Sequence, residues 1–237
     1  QARDLHFEAV DASYKKQKDT ISIWASRGNT KILCSATWQD NTPRHVPDGQ
    51  GWLTAEYSML PSSTHTRCDR EAVRGKQNGR TVEIQRLIGR ALRNAVDFKK
   101  LGEHTILIDC DVFQADGSTR TTAITGACVA LILLLQRMQY TKKLKKDPLN
   151  YFIAAVSVAA DARGAVHLDP DYAMDLHAGA DVNVVMNEHD AFLEIQGTAE
   201  GQAITKKTLD TIITYASNEL KTNIEQQKAF IQDFLHG

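Results

Sequence analysis

The sequence predicts a mixed α+β fold built from two strand-and-helix halves. Three observations indicate this class. Short runs of apolar and β-branched residues at strand spacing recur along the chain. Three longer segments carry apolar residues at helical spacing. Pro148 separates one series of strands and helices from a second. The length of 237 residues fits one large domain or two small ones, and a hydrophobic content of 42% suffices for a sizeable core.

The charges are distributed unevenly, although the formal net charge is only −1 and argues against a generic nucleic-acid binder. Residues 65–93 are rich in arginine, whereas residues 161–200 are dominated by acids. The first region suits a polyanion and the second a divalent cation. The four cysteines lack metal-ligand spacing, as expected for buried, reduced thiols in a cytosolic protein.

No membrane-spanning segment is expected. The most apolar run, residues 121–138, is interrupted at its front by three threonines and Gly126. The start of the sequence lacks the basic-then-apolar pattern of a signal peptide. We therefore expect a cytoplasmic protein that does not enter a membrane.

Strands are predicted to open the chain, at residues 21–24 and 31–38, with a turn at residues 28–30 between them. Prolines and glycines make residues 41–51 a loop, after which residues 51–57 return to an extended pattern. Residues 62–79 are polar and rich in arginine. This segment is either a solvated surface loop or a loop that binds the phosphates of an RNA backbone. The residues alone do not decide between these two interpretations.

A helix is predicted from residue 79 onward, with Ile84, Ile88, Ala91 and Ala95 on one apolar stripe. Arg80 lies at its entrance, beside a glycine. A strand at residues 105–112 then leads into a polar turn at residues 115–120 and into the run at 121–138, which is apolar on nearly every side and reads as a buried helix.

The polar turn is a candidate anion site. Backbone N–H groups at a helix start lack internal partners and carry the positive end of the helix dipole. A glycine, two hydroxyls and Arg120 at that position suit a phosphate. The alternative is an ordinary capped helix with a solvated arginine. Two helix starts, each with an arginine, could share one phosphate.

The second half is predicted to contain strands at residues 153–159 and 165–168 around a turn at 161–164, and a further pair at 182–186 and 192–196. Thr205 can cap a last helix whose stripe runs from Leu209 to Ile224. The intervening residues 137–147 are expected to be basic and exposed.

Two acids between these strand pairs form a candidate metal site. Asp175 and Asp181 stand six residues apart, and Mg²⁺ often needs only one or two carboxylates when a substrate phosphate completes its shell. Asp169 and Asp171 are expected to form turns beside Pro170. The histidines form no catalytic pattern. A chain without a protein nucleophile can still transfer phosphoryl groups by positioning and charge neutralisation.

Five segments closely resemble the bacterial ribonuclease PH family, and the likeness extends over almost the whole chain. The resemblance implies the ribonuclease PH fold (ribosomal protein S5 domain 2-like) as a single domain over residues 1–237, with halves at about 1–147 and 148–237. The five segments are residues 28–31, 49–61, 79–90, 108–117 and 194–201.

The resemblance also implies an activity. Members of the family are phosphorolytic 3′→5′ exoribonucleases that trim tRNA precursors, with inorganic phosphate as the nucleophile, Mg²⁺ as cofactor and nucleoside 5′-diphosphates as products. It implies partners too: tRNA precursors and other RNA 3′ ends, including rRNA, and a homohexamer arranged as a trimer of dimers. One alternative is a catalytically silent RNA-binding subunit of an exosome-like ring. The other is a hydrolytic nuclease, whose two-metal site would need more metal-binding carboxylates.

The resemblance assigns roles to particular residues. Phosphate would be bound by Arg80, Ser118, Thr119 and Arg120. Asp175 and Asp181 would bind Mg²⁺ or transfer protons, and with Arg80 and Arg120 they form the expected catalytic set. The RNA would be contacted by Arg67 and Arg70, to which we add Arg74. A silent subunit would not retain Arg80, Thr119, Arg120, Asp175 and Asp181 together, as this chain does.

The sequence departs from the family at Ser118, where glycine is usual. A side chain there is harmless unless the turn needs positive φ, which would cost about 1–2 kcal/mol. Ser62 replaces a common arginine, and the segment around Asp175 carries fewer acids than is usual.

Overall fold

The computed structural model describes residues 2–10, 18–161, 164–199 and 203–236. Within these ranges the chain forms two β-sheets and six helices. The strands are β1 (Leu5–Ala9), β2 (Thr20–Arg27), β3 (Thr30–Gln39), β4 (Trp52–Met59), β5 (Thr105–Gln114), β6 (Ile153–Ala160), β7 (Val166–Leu168), β8 (Ala180–Asn187) and β9 (Phe192–Ala199). The helices are α1 (Glu71–Arg74), α2 (Gly79–Asn94), α3 (Phe98–Leu101), α4 (Thr119–Tyr140), α5 (Tyr172–Leu176) and α6 (Lys206–His236).

The first sheet has the order β1-β2-β3-β5-β4 and is antiparallel except for the β4–β5 pair. Burial alternates strictly along β2 and β3, so one face of this sheet packs on the core and the other faces outward. The predicted turn joins β2 and β3, with Gly28 at φ 53°. The second sheet has the order β7-β6-β8-β9 and is antiparallel throughout, which confirms the predicted strand pairs.

Helix α4 lies between the two sheets. It packs on β2, β3 and β5 of the first sheet and on β6 and β8 of the second. This arrangement explains why the helix is buried around nearly its whole circumference, as its sequence predicts. By length and composition alone α4 could cross a membrane, but almost all of it is enclosed by the rest of the protein.

Helix α6 covers the second sheet and then continues beyond it. Thr205 caps it as predicted, because its Oγ1 accepts a hydrogen bond of 3.1 Å from the backbone N–H of Thr208. Most of the predicted stripe is buried, namely Ile212, Ala216, Leu220 and Ile224, whereas Ile213 is half-buried and Leu209 is 40% exposed. The helix runs on to His236, and Ile231 reaches the core shared with the first sheet.

Several expectations need correction. Strand β1 was not predicted, and the arginine-rich segment contains the short helix α1. Arg137, expected to be exposed, is fully buried and donates to the carbonyl of Thr20 at 2.5 Å. Two residues of the predicted turn at 161–164 lie outside the described ranges. Cys34, Cys110 and Cys128 are buried free thiols, as expected.

Candidate active site

The turn before α4 is fixed by neighbouring strands. Ser118 occupies the N-cap position with φ 52° and ψ 26°, a left-handed conformation. Thr30 donates to the carbonyl of Gly117 at 2.6 Å and accepts from the backbone N–H of Asp116 at 2.9 Å. Tyr57 on β4 donates its hydroxyl to Thr119 Oγ1 at 3.1 Å. The start of α4 is therefore held in place, and no Ser118 side-chain oxygen caps its N–H groups.

Both predicted phosphate-binding arginines lie near this turn. Arg80 stands in the first turn of α2, where Asn78 Oδ1 accepts from the backbone N–H of Thr81 at 2.7 Å and caps the helix. Burial raises the pKa of the Tyr57 hydroxyl, while its bond to Thr119 and the positive charges of Arg80 and Arg120 oppose that rise. Two guanidinium groups from different helices thus act on one hydroxyl at the α4 start.

The predicted acids reach the same place. Asp175 stands on α5 and Asp181 on β8, four and two residues into their respective elements. Burial and the negative charge of Asp175 raise the pKa of Asp181, and the charges of Arg120 and Arg80 oppose the shift. The carboxylate of Asp181 therefore lies within electrostatic reach of all three. The structure brings together the four residues expected to form the catalytic set, from both halves of the chain.

Arg3 fastens the α4 turn to the segment that precedes α5. Its Nε and Nη2 donate to the two carboxylate oxygens of Asp169 at 2.9 and 3.1 Å, and its Nη1 donates to the carbonyl of Asp116 at 2.6 Å. Gly117 touches this segment closely, since a Cβ there would lie 2.2 Å from the carbonyl oxygen of Pro170. Asp169 is buried in this pair, while Asp171 caps α5 through Met174 N–H at 2.8 Å.

A chain of buried hydrogen bonds leads from α4 to Asp181. The hydroxyls of Thr121 and Ser157 are 3.0 Å apart, and Ser157 donates to Asn183 Oδ1 at 2.7 Å. Asn183 Nδ2 in turn donates to Asp181 Oδ2 at 3.3 Å. The acid is thereby connected through β6 to the first turn of the central helix.

The predicted RNA-contacting arginines lie in the exposed segment that precedes α2. Arg67 and Arg74 both pair with Asp69, Arg67 at 3.1 Å. Arg70 lines a cavity of 380 Å³ together with Arg80 and Tyr57. This cavity extends from the arginine-bearing segment to Arg80, and its lining includes neither Arg67 nor Arg120.

Comparison with known proteins assigns the family. Residues 12–134, just over half of the chain, match the family described as "RNase_PH: 3′ exoribonuclease family, domain 1". The chain belongs to this family. The matched part of the chain is thus a domain of the 3′ exoribonuclease family.

Solved structures show that the fold extends over the rest of the chain. Rrp46 of rice (Oryza sativa) is 14% identical, with a TM-score of 0.74 over 100% of this chain and 96% of that one. An archaeal exosome core subunit is 15% identical, with a TM-score of 0.74 over 96% and 87%. A chain of the Archaeoglobus fulgidus exosome with RNA bound to the active site is 16% identical, with a TM-score of 0.76 over 95% of this chain and 89% of that one. At these identities the likeness establishes the shared fold.

The acid pair suits Mg²⁺ only as a partial ligand set. Within the described ranges, no group of three or more histidine, cysteine, aspartate or glutamate side chains is arranged to hold a metal. The negative charge of Asp175 destabilises the ionised carboxylate of Asp181, and a cation bound between the two would relieve that repulsion. Mg²⁺ keeps several waters and commonly uses one or two carboxylates plus substrate phosphates, so Asp175 and Asp181 fit that manner of binding.

Sequence reasoning missed the residues that hold the site together. Arg3 and Ser157 lie outside the segments that resemble the family, and their partners are distant in the sequence. Tyr57, Glu83 and Gln196 fall inside those segments, yet nothing in their spacing connects them to the site. The shared partner of Glu83 and Gln196 is Arg120, which Glu83 Oε1 contacts at 3.2 Å and Gln196 Oε1 at 3.1 Å.

Proposed function

We propose that this protein is a phosphorolytic 3′→5′ exoribonuclease of the bacterial ribonuclease PH type, which trims the 3′ ends of tRNA precursors. The observation that supports this most is the convergence of Arg80, Arg120, Asp175 and Asp181 on the start of α4. Two cations and a helix N-terminus suit a free phosphate, and the acids beside them suit a cation that neutralises a second phosphate.

In this proposal inorganic phosphate supplies the nucleophile. Arg80, Arg120 and the Ser118–Thr119 turn bind it, and one of its oxygens attacks the phosphorus of the terminal phosphodiester. A new P–O bond forms, the bond from that phosphorus to the 3′ oxygen of the preceding nucleotide breaks, and that oxygen takes up a proton. The terminal nucleotide departs as a nucleoside 5′-diphosphate. Fixed positive groups at the phosphate oxygens supply most of the rate enhancement.

Asp175 and Asp181 have two possible tasks in this scheme. Either can hold Mg²⁺, which would supply positive charge to the phosphate oxygens of the substrate. Alternatively, Asp181 can carry the proton that the leaving 3′ oxygen needs, because burial and Asp175 raise its pKa. Arg67, Arg70 and Arg74 would contact the RNA backbone upstream, without reading its sequence.

The deciding experiment incubates the protein with a 3′-extended tRNA and Mg²⁺, with and without phosphate. We expect nucleoside diphosphates only when phosphate is present. Monophosphates without phosphate would instead indicate a hydrolytic nuclease. Binding without products would indicate the silent RNA-binding subunit. The same assay on an unstructured RNA and on an rRNA fragment measures whether tRNA ends are preferred.

Replacement of Arg80 or Arg120 by alanine should lower phosphate-dependent turnover at least about 100-fold, since each removes a charged ligand from the transition state. Arg44→Ala, at an exposed loop position, is the matched control and should keep normal turnover. Near-normal activity of both site variants would contradict the assignment of the site.

We further propose a cytoplasmic homohexamer, a trimer of dimers, on the strength of the family resemblance. Light scattering on the purified protein should give six times the chain mass of 26.3 kDa. A monomer or dimer at micromolar concentration would refute the hexamer while leaving the nuclease proposal intact.

A further inference from the structure

The side chain of Arg120 is held by residues from both halves of the chain. Its Nη1 donates to Glu83 Oε1 on α2 at 3.2 Å and to Gln196 Oε1 on β9 at 3.1 Å. Gln196 Nε2 also donates to Glu83 Oε1 at 3.0 Å, which closes a triangle of three side chains. The Arg120 side chain is 16% exposed and that of Glu83 39%, so the arginine is the more buried member of this pair.

Counting donors shows what the triangle leaves available. A guanidinium group is planar and carries five N–H bonds, two of them on Nη1. Glu83 and Gln196 together occupy both N–H bonds of Nη1. Fixing one end of a planar group also fixes its plane, so the remaining donors on Nη2 and Nε point in set directions. These two nitrogens form the edge that can bind two oxygens of one phosphate.

The position of the triangle connects it to the candidate site. Glu83 follows Arg80 by one turn of α2, and Arg120 is the second residue of α4. The positive charges of Arg80 and Arg120 act together on Tyr57 and Asp181, so the guanidinium group of Arg120 borders the candidate site. A glutamate this close partly neutralises Arg120, which weakens a phosphate site unless the glutamate has another task.

We propose that Glu83 and Gln196 are positioning residues that hold Nη1 of Arg120, so that its Nε and Nη2 bind the attacking phosphate side-on. The inference rests on the proposed function, which it deepens by assigning how one phosphate ligand is oriented. Glu83 orients Arg120 by accepting its hydrogen bond, whereas the negative charge of Glu83 weakens phosphate binding. A neutral acceptor of the same shape can therefore replace it.

The test compares Glu83→Ala with Glu83→Gln. Alanine removes the acceptor and leaves the Arg120 side chain free to move. Immobilising that side chain when phosphate binds then costs affinity, so we expect the KM for phosphate to rise about tenfold. Glutamine keeps an acceptor oxygen without the charge, and should restore a phosphate KM within about twofold of the original. The KM for RNA should stay unchanged in both variants, because neither residue is placed on the RNA.

Two further variants complete the comparison. Gln196→Ala removes one acceptor of Nη1 and should raise the phosphate KM in the same direction as Glu83→Ala. Gln85→Ala is the control on the same helix, since Gln85 bonds Glu56 and not Arg120. It should leave both KM values unchanged. Phosphate affinity is also measured by calorimetry without RNA, so that binding is read independently of turnover.

Three outcomes would overturn the inference. The first is a phosphate KM for Glu83→Ala within twofold of the original. The second is a Glu83→Gln protein as impaired as Glu83→Ala, which would make the charge the important feature. The third is an equal loss in phosphate and RNA KM, as expected from general misfolding. Failure of the proposed function looks different: the unaltered protein would release no diphosphates, while calorimetry would still compare its phosphate affinity with that of Glu83→Ala.

Discussion

Ser118 adopts a backbone conformation that most residues avoid. At φ 52° its Cβ crowds the following carbonyl, a cost of about 1–2 kcal/mol that glycine does not pay. The sequence indicated this cost if the turn needed positive φ, and the structure shows that it does. The hydroxyl regains little, because its bond to the carbonyl of Pro170 is long at 3.4 Å.

Ser118→Gly should therefore raise the free energy of unfolding by about 1 kcal/mol, since the left-handed strain disappears. Thermal or urea unfolding measures the change. Ser118→Ala is the control, because it keeps the Cβ and loses only the hydroxyl, and it should be neutral or slightly destabilising. Stabilisation of both variants alike would mean that the hydroxyl, and not the backbone, determines the effect.

Strand β5 carries two aspartates on its outward face. Burial raises the pKa of Asp111, and burial together with the charges of Asp111 and Glu56 raises the pKa of Asp109. A folded state that raises an acid's pKa binds more protons than the unfolded chain between the two pKa values. The native protein is thus penalised when these groups ionise, and it regains stability as the pH falls through their raised pKa values.

Asp111→Asn should raise the free energy of unfolding at pH 7 by a few tenths of a kcal/mol, because water screens a half-exposed group. The gain over the unaltered protein should shrink as the pH falls from the raised pKa toward 3.8, the usual value for aspartate. Urea unfolding at several pH values measures this difference. Asp48→Asn, at an exposed loop position, should show no such trend. A gain that grows on acidification would have the wrong sign.

Helix α4 approaches the first sheet most closely at Gly126. A Cβ there would lie 2.5 Å from Cβ of Ala25 and 2.7 Å from Sγ of Cys34. Gly126→Ala should lower the free energy of unfolding by about 1–3 kcal/mol, because overpacking outweighs the better helix propensity of alanine. Gly79→Ala on α2 meets nothing within 4 Å and should be neutral or stabilising. Equal effects in thermal unfolding would show that the contact is not tight.

The sequence predicted the parts of the molecule that depend on local pattern. The all-round apolar character of residues 121–138 predicted a central helix, and the positions of Arg80 and Arg120 at two helix starts predicted where an anion could bind. Their roles stay predictions. The pattern could not show that Asp169 is buried against Arg3, or that Arg120 is held by Gln196, because these pairs depend on how the two halves pack.

The two halves share a large apolar cluster, beside a smaller one that lies between the second sheet and α6. Ile153, Ala155, Val185 and Ile231 of the second half belong to the same apolar cluster as the residues of the first sheet. Gln227 on α6 donates to the carbonyls of Thr125 and Ile153, at 2.8 and 3.0 Å, in the interior. Removing either half would expose a large apolar surface and leave buried carbonyls without donors.

We therefore expect one cooperative unfolding transition for the whole chain. Circular dichroism and tryptophan fluorescence should give the same midpoint in urea, although all three tryptophans lie in the first half, at positions 24, 38 and 52. The polypeptides 1–147 and 148–237, made separately, should lack stable structure. Two resolved transitions, or a folded fragment, would show that the halves are independent.

Arg3 connects the segment before β1 to a site that is remote in the sequence. It bonds Asp169, which is 166 positions away, and the carbonyl of Asp116 in the turn before α4. A proteolytic cut between Arg3 and β1 would break that connection without touching any proposed ligand of phosphate or RNA. The candidate site would then lose a support although all of its motifs stayed intact.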